Sequence, residues 1–182
     1  MGLWTTWTRG AEQHLHSEIW LPLPLTEVFP FFADATNLER MTPDWVSFRI
    51  LTKGRIRMAE GTLIDYRIGV HGVPMRWRTR IAAWEPPYRF VDEQVKGPYT
   101  FWRHEHRFEE RDGGTVVLDD VRYASPGGPL VLRFVVRPDV ERIFAHRQEV
   151  LRALFGGGDQ PTARPLNHAT VSATVPSSGR GA

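Results

Sequence analysis

The stretch that most constrains this chain is YTFWRHEHRFEERDGGTVVLDDVRY, residues 99–123. Two runs of period-two alternation flank Asp112-Gly113-Gly114, residues that tolerate the positive φ angles of a tight hairpin turn. On the first strand Trp102, His104, His106 and Phe108 share one face, while Phe101, Arg103, Glu105 and Arg107 share the other. With Asp112-Gly113 as the loop, Trp102 pairs with Tyr123, His104 with Val121, His106 with Asp119 and Phe108 with Val117. One face then gathers two imidazoles, an indole, a phenol and a carboxylate among apolar neighbours. Buried polar groups need partners, so this mixture suits a ligand cavity better than a dry core.

The rest of the chain supplies what such a hairpin must pack against. Its 182 residues suffice for one domain with a core, and the net charge is only +2 with the arginines interspersed among acidic residues. No basic stripe argues for nucleic acid. There are no cysteines, which excludes disulfides and thiol chemistry. No apolar run reaches the roughly 18 residues of a membrane span, and the first residues lack the order of a secretory signal, so a soluble, cytoplasmic protein is expected. Residues 1–12 read as a loose leader, 13–156 as the folded domain, and 157–182, rich in Pro, Thr, Ser, Ala and Gly, as a disordered tail.

Taken in order, a first strand is expected over His14–Leu21, stopped by Pro22 and Pro24. Thr26 can cap a short helix that buries Val28, Phe29 and Phe32, and a second short helix begins near Asn37 with Leu38 and Met41. Residues 48–123 read as an antiparallel meander. Across the His71-Gly72 turn, Tyr66 meets Trp77 inside and Asp65 meets Arg78 outside, and the two faces agree on one register. Strand Arg89–Lys96 is ambiguous: a two-residue turn sets Val91 and Glu93 beside His104 and Trp102, and one extra residue sets Asp92 and Gln94 there instead. Val140, Ile143, Phe144, Arg147, Leu151, Leu154 and Phe155 then follow helical spacing, with Glu141, Arg142, Gln148, Glu149 and Arg152 opposite. Pro138 fits the first turn of that helix, or a kink if helix already begins at Leu130.

Several motifs recur in an order that resembles a known superfamily. They are Val28-Phe29, Asn37-Leu38 and Thr42-Pro43, then Gly72-Val73-Pro74 with Trp77, and Trp84-Glu85-Pro86-Pro87. Phe90-Val91-Asp92-Glu93-Gln94 follows, with Gly97-Pro98-Tyr99, Trp102-x-His104-x-His106-x-Phe108, Gly113-Gly114-Thr115, Asp119-x-Val121-x-Tyr123, and Ile143-Phe144 with Arg147. Over about residues 14–155 the chain resembles the SRPBCC (START-like, polyketide cyclase/dehydrase-like) superfamily, in particular its bacterial ligand-binding proteins of unknown activity. The resemblance implies an α+β helix-grip fold: a curved antiparallel sheet wrapped around a long C-terminal α-helix, with two short helices after the first strand. It also implies a pocket for a small hydrophobic ligand and no cofactor, dedicated metal or nucleotide.

The residues themselves suggest how that pocket is built. Tyr66, Trp77, Trp102 and Tyr123 would supply apolar walls, unless they simply pack the core. His104, His106, Asp119 and, on the register the resemblance favours, Asp92 and Gln94 would supply polar contacts. Arg147 sits on an otherwise apolar helix face and needs Asp92, Asp119 or an anionic ligand group as partner, or else it snorkels at the cavity mouth. His104 and His106, like His14 and His16, have the spacing of a metal-binding pair, but a zinc site wants three or four ligands and no metal is expected. His106 beside Asp119 has the form of a catalytic acid/base pair, or of a satisfied pair that only holds the hairpin register. No Ser-His-Asp order, phosphate loop or HExxH segment is present. The function expected is binding of an aromatic or polyketide-like molecule in a cavity of roughly 300–1,000 Å³. The alternatives are a cyclase/dehydratase using His106 and Asp119, and a non-enzymatic stress or interaction module. The oligomeric state is left open.

Overall fold

The computed structural model describes residues 3–9 and 12–156. Its strands are β1 (Leu3–Arg9), β2 (Glu12–Leu21), β3 (Ser47–Ile50), β4 (Leu63–Val70), β5 (Val73–Glu85), β6 (Arg89–Lys96), β7 (Phe101–Arg111) and β8 (Gly114–Ala124). They form one antiparallel sheet in the order β1-β2-β8-β7-β6-β5-β4-β3. Two short helices, α1 (Leu25–Phe32) and α2 (Asn37–Arg40), separate β2 from the six-stranded meander β3–β8. A final helical run comprises α3 (Gly128–Val131), a π-helical turn over Leu132–Val136 and α4 (Arg137–Phe155). This is the helix-grip arrangement.

The turn chemistry sets the registers. His71 and Gly72, and likewise Asp112 and Gly113, all have φ between 51° and 77°, as the two central residues of a type I′ hairpin turn require. Tyr66 accordingly pairs with Trp77 and Asp65 with Arg78. Trp102 pairs with Tyr123, His104 with Val121, and His106 with Asp119. The ambiguous strand β6 takes the longer-turn register, with Asp92 opposite His104 and Phe90 opposite His106.

Three details differ from the sequence reading, and the open choice at Pro138 is decided. Leu3–Arg9, inside the segment read as a loose leader, pair with β2 as an edge strand; LWTTWTR lacks period-two alternation, so its pattern does not announce a strand. Thr26 caps nothing: α1 follows Pro24 with no side-chain capping bond, the proline φ of −65° serving as the helix entry. Pro138 is preceded by helix, and the π turn just before it accommodates the missing N–H and the ring. Finally, α4 buries Val140, Phe144, Arg147, Gln148 and Leu151, while Leu154 is 40% exposed. Gln148 is inside because its Nε2 donates to Ser17 Oγ at 2.8 Å, which ties the helix to β2. The segment read as a disordered tail lies outside the described residues.

The core is divided. One cluster joins α1 to β2, β7, β8 and α4 through Ile19, Phe29, Phe32, Phe108, Val117 and Leu151. A second joins Leu15, Val121 and Tyr123 to Val140 and Phe144. A third lies under β4, around Ile64, Tyr66 and Ile68. Where the three clusters face one another they leave a gap.

Candidate functional site

That gap is a cavity of about 190 Å³ between the sheet, α2 and α4. It is smaller than the roughly 300–1,000 Å³ of an ordinary ligand pocket. Trp77, Tyr99 and Trp102 form an aromatic cluster in its wall, with Trp77 edge-on to Trp102 at 5.2 Å between ring centroids and Tyr99 4.7 Å from Trp102. Phe32, Phe90 and Phe144 close other sides.

The polar part of the wall is a stack of two imidazoles held between two carboxylates. His104 and His106 lie two apart on β7, so their rings point to the same face, 3.7 Å between centroids. Behind them Asp119 Oδ1 lies 3.0 Å from His104 Nε2 and 2.8 Å from His106 Nδ1. The first contact is an aligned hydrogen bond; the second is short but bent away from hydrogen-bond alignment. In front, on the cavity side, Asp92 Oδ2 lies 3.5 Å from His104 Nδ1 and 3.4 Å from His106 Nε2. Phe90 stacks on His106 at 4.1 Å and Phe144 meets His104 edge-on at 5.4 Å. Both imidazoles are 4% exposed, so water does little to soften these interactions.

This environment drives the two histidines apart. Burial depresses the pKa of His104, and the charge of His106 adds to that effect against the pull of Asp119 and Asp92. Burial also opposes the charge of His106, but its contacts with Asp119 and Asp92 outweigh it, so its pKa is raised. Burial likewise works against ionising Asp119 and Asp92, and the imidazoles with Arg147 overcome it, holding both carboxyls below their ordinary value. Of the two imidazoles, His106 is thus the one that favours the protonated form and His104 the one that favours the neutral form, beside two carboxyls that favour ionisation. Two titratable groups of one kind pushed in opposite directions are what acid/base chemistry uses, although structural networks do the same.

Of the residues singled out in the sequence, Tyr66, Trp77, Asp92, Trp102, His104, His106 and Arg147 line the cavity. Asp119 is not in the lining; it buttresses the imidazoles from behind. Gln94 is turned away, its amide donating to Tyr99 O at 2.7 Å and accepting from Tyr99 N at 3.2 Å, so it holds the β6–β7 turn. Tyr123 is fully buried in the second core cluster, outside the cavity. His14 and His16 alternate with the buried residues of β2 and so lie on the other face of the sheet. The sequence reading passed over Thr79, Tyr99, Phe90 and Phe144 as lining residues. Thr79 could have been found, because it alternates in phase with Trp77 and Ile81.

Asp92, His104 and His106 each offer one ligand atom within 4.8 Å of the others, the group with metal-ligand spacing among the described residues. Asp92 supplies the third donor, brought beside the imidazoles by the longer-turn register of β6. Among the described residues no helix is long and apolar enough to cross a membrane.

Similar folds are found in solved structures. Protein Ms6760 from Mycobacterium smegmatis superimposes with a TM-score of 0.60 at 17% identity, over 81% of this chain and 93% of that one. Protein CV1439 from Chromobacterium violaceum gives 0.62 at 13% identity, over 82% and 100%. Major latex-like protein 151 from Panax ginseng gives 0.59 at 11% identity, over 81% and 100%. Identities this low speak for the fold alone. No curated protein sequence matches. The family model described as polyketide cyclase / dehydrase and lipid transport matches residues 21–152, from the end of β2 through most of α4, and the chain belongs to this family, within the SRPBCC superfamily.

Proposed function

We propose that this protein binds a small aromatic molecule of one or two fused rings in the cavity between β4–β7 and α4. The observation that carries the reading is the wall itself: the Trp77–Tyr99–Trp102 cluster packs on the core on one side and lines a void on the other. Large rings with polar edges beside unfilled space offer stacking area to a planar guest. The 190 Å³ volume supports a compact guest over a long lipid chain. The test is calorimetric titration of the full chain with 2-naphthol. A saturable one-to-one isotherm is expected, weakened about tenfold by Trp102→Ala through lost ring contact. Absence of saturable binding would overturn the reading.

A second reading is favoured by the opposed histidines. His106 presents Nε2 towards Asp92 on the cavity side, where the two carboxylates favour its protonated form, so it would act as the acid towards a bound carbonyl, with Asp119 orienting it. On that reading the protein is a cyclase or dehydratase. His106→Gln would then abolish conversion of a linear poly-β-ketone while leaving 2-naphthol binding intact. Equal conversion by the variant would remove the catalytic role.

A further inference from the structure

Arg147 comes into the cavity from the middle of α4 and is 8% exposed. A buried guanidinium without hydrogen-bond partners is costly, so its surroundings should account for each donor. They do not. Among the described residues no carboxylate lies within ion-pair distance of it, and Nε is buried with no acceptor. The Phe144 ring lies under it, 5.0 Å from the guanidinium carbon. The obvious partners, Asp92 and Asp119, already face the imidazoles. Their charge reaches Arg147 through space, but charge felt at a distance supplies no acceptor atom.

A second donor in the same wall is in the same position. Trp77 Nε1 is buried, lines the cavity and has no acceptor. Two buried donors of the cavity wall are therefore left without acceptor oxygens. A free Nε beside the guanidinium's terminal nitrogens is the edge that takes a carboxylate through two parallel N–H···O bonds; a single carbonyl satisfies only one of them.

Building on the proposed aromatic ligand, we infer that the ligand is an aromatic acid whose carboxylate is held by Arg147. The aromatic body lies against Trp77, Tyr99 and Trp102, and the acid group turns to α4.

The test compares 2-naphthoic acid, ionised at neutral pH, with its neutral near-isostere 2-naphthamide, by calorimetry on the full chain. The acid should bind at least about tenfold more tightly, as expected for a charge-assisted pair. Arg147→Met, which fills similar space without donors, should erase that preference, weakening the acid at least about tenfold more than the amide. Arg147→Lys should keep part of the preference, because it restores the charge without the fork. If the wild-type protein binds acid and amide equally, the inference fails while the aromatic cavity stands. If Arg147→Met keeps the preference, another group holds the acid and the inference also fails. If neither probe binds, both this inference and the proposed function fall.

Discussion

The two faces of the β6–β7–β8 sheet carry the same chemistry in different solvents. On the outer face Arg89 pairs with Glu105 at 3.0 Å and with Glu85 at 2.7 Å, and Arg103 pairs with Glu93 at 2.8 Å. On the inner face Asp119 holds the two histidines at 3.0 and 2.8 Å, and Asp92 faces them at 3.5 and 3.4 Å. The outer side chains keep between a fifth and two thirds of their surface in water, so each partner has an alternative. The inner pairs have none. Removing an outer partner returns its mate to solvent; removing an inner one strands a charge or a donor. The outer face is thus a solvated lattice that supports register, and the inner face is a pre-organised polar site whose parts depend on one another.

The largest effect should come from deleting the inner keystone. Asp119→Ala leaves both imidazoles without their rear acceptor and should cost about 3–5 kcal/mol in urea denaturation. A loss no larger than that of an outer-face variant would contradict the contrast.

A pH profile sharpens the same point. His106 has a raised pKa in the folded chain, so its contribution is complete below the unfolded value of 6.5 and disappears as pH rises through the folded one. His104 is depressed and works with the opposite sign, losing stability as pH falls below 6.5. The aspartates contribute above 3.8 and lose their contribution as pH falls below it. Unfolding free energy should therefore decline with pH above 6.5, and His106→Gln should flatten that decline. NMR titration should show His106 losing its proton above 6.5 and His104 gaining one below it; joint titration near the ordinary value would refute the assignment.

Smaller effects test the edges of the picture. Arg147→Met removes a buried charge that no neighbour satisfies, so without ligand it should be neutral or stabilising, within about 1–2 kcal/mol. Glu105→Gln, on the outer face, should cost under about 1 kcal/mol. A markedly larger cost for Glu105→Gln would mean that the outer lattice is more than a solvated support.

How much of this was legible in the sequence follows from which strands carried a two-sided pattern. β4–β5 and β7–β8 each join a left-handed turn pair to faces that match on both sides, so their registers could be read directly. β6 could not be read this way. Arg89, Val91 and Glu93 on one side and Phe90, Asp92 and Gln94 on the other both mix polar with apolar, so alternation left Asp92 undecided. Spacing placed Gln148 with the solvent-facing residues of α4, but a single hydrogen bond to Ser17 brings it inside. Asp119 was visible as the partner of His106, while its second contact, to His104, depends on side-chain reach that register does not encode. Arg147 stood out as a charge on an apolar stripe; that it stays unpaired needed the positions of both aspartates.

The central claim is that a guest occupies the aromatic end of the cavity, and indole N–H signals report on this directly. Adding 2-naphthol to ¹⁵N-labelled protein should move the Trp77 and Trp102 indole cross-peaks. Trp20, whose indole donates to Arg111 O at 2.9 Å outside the cavity, should stay still. Unmoved Trp77 and Trp102 signals at saturating probe, or a shift at Trp20 in their place, would contradict the account.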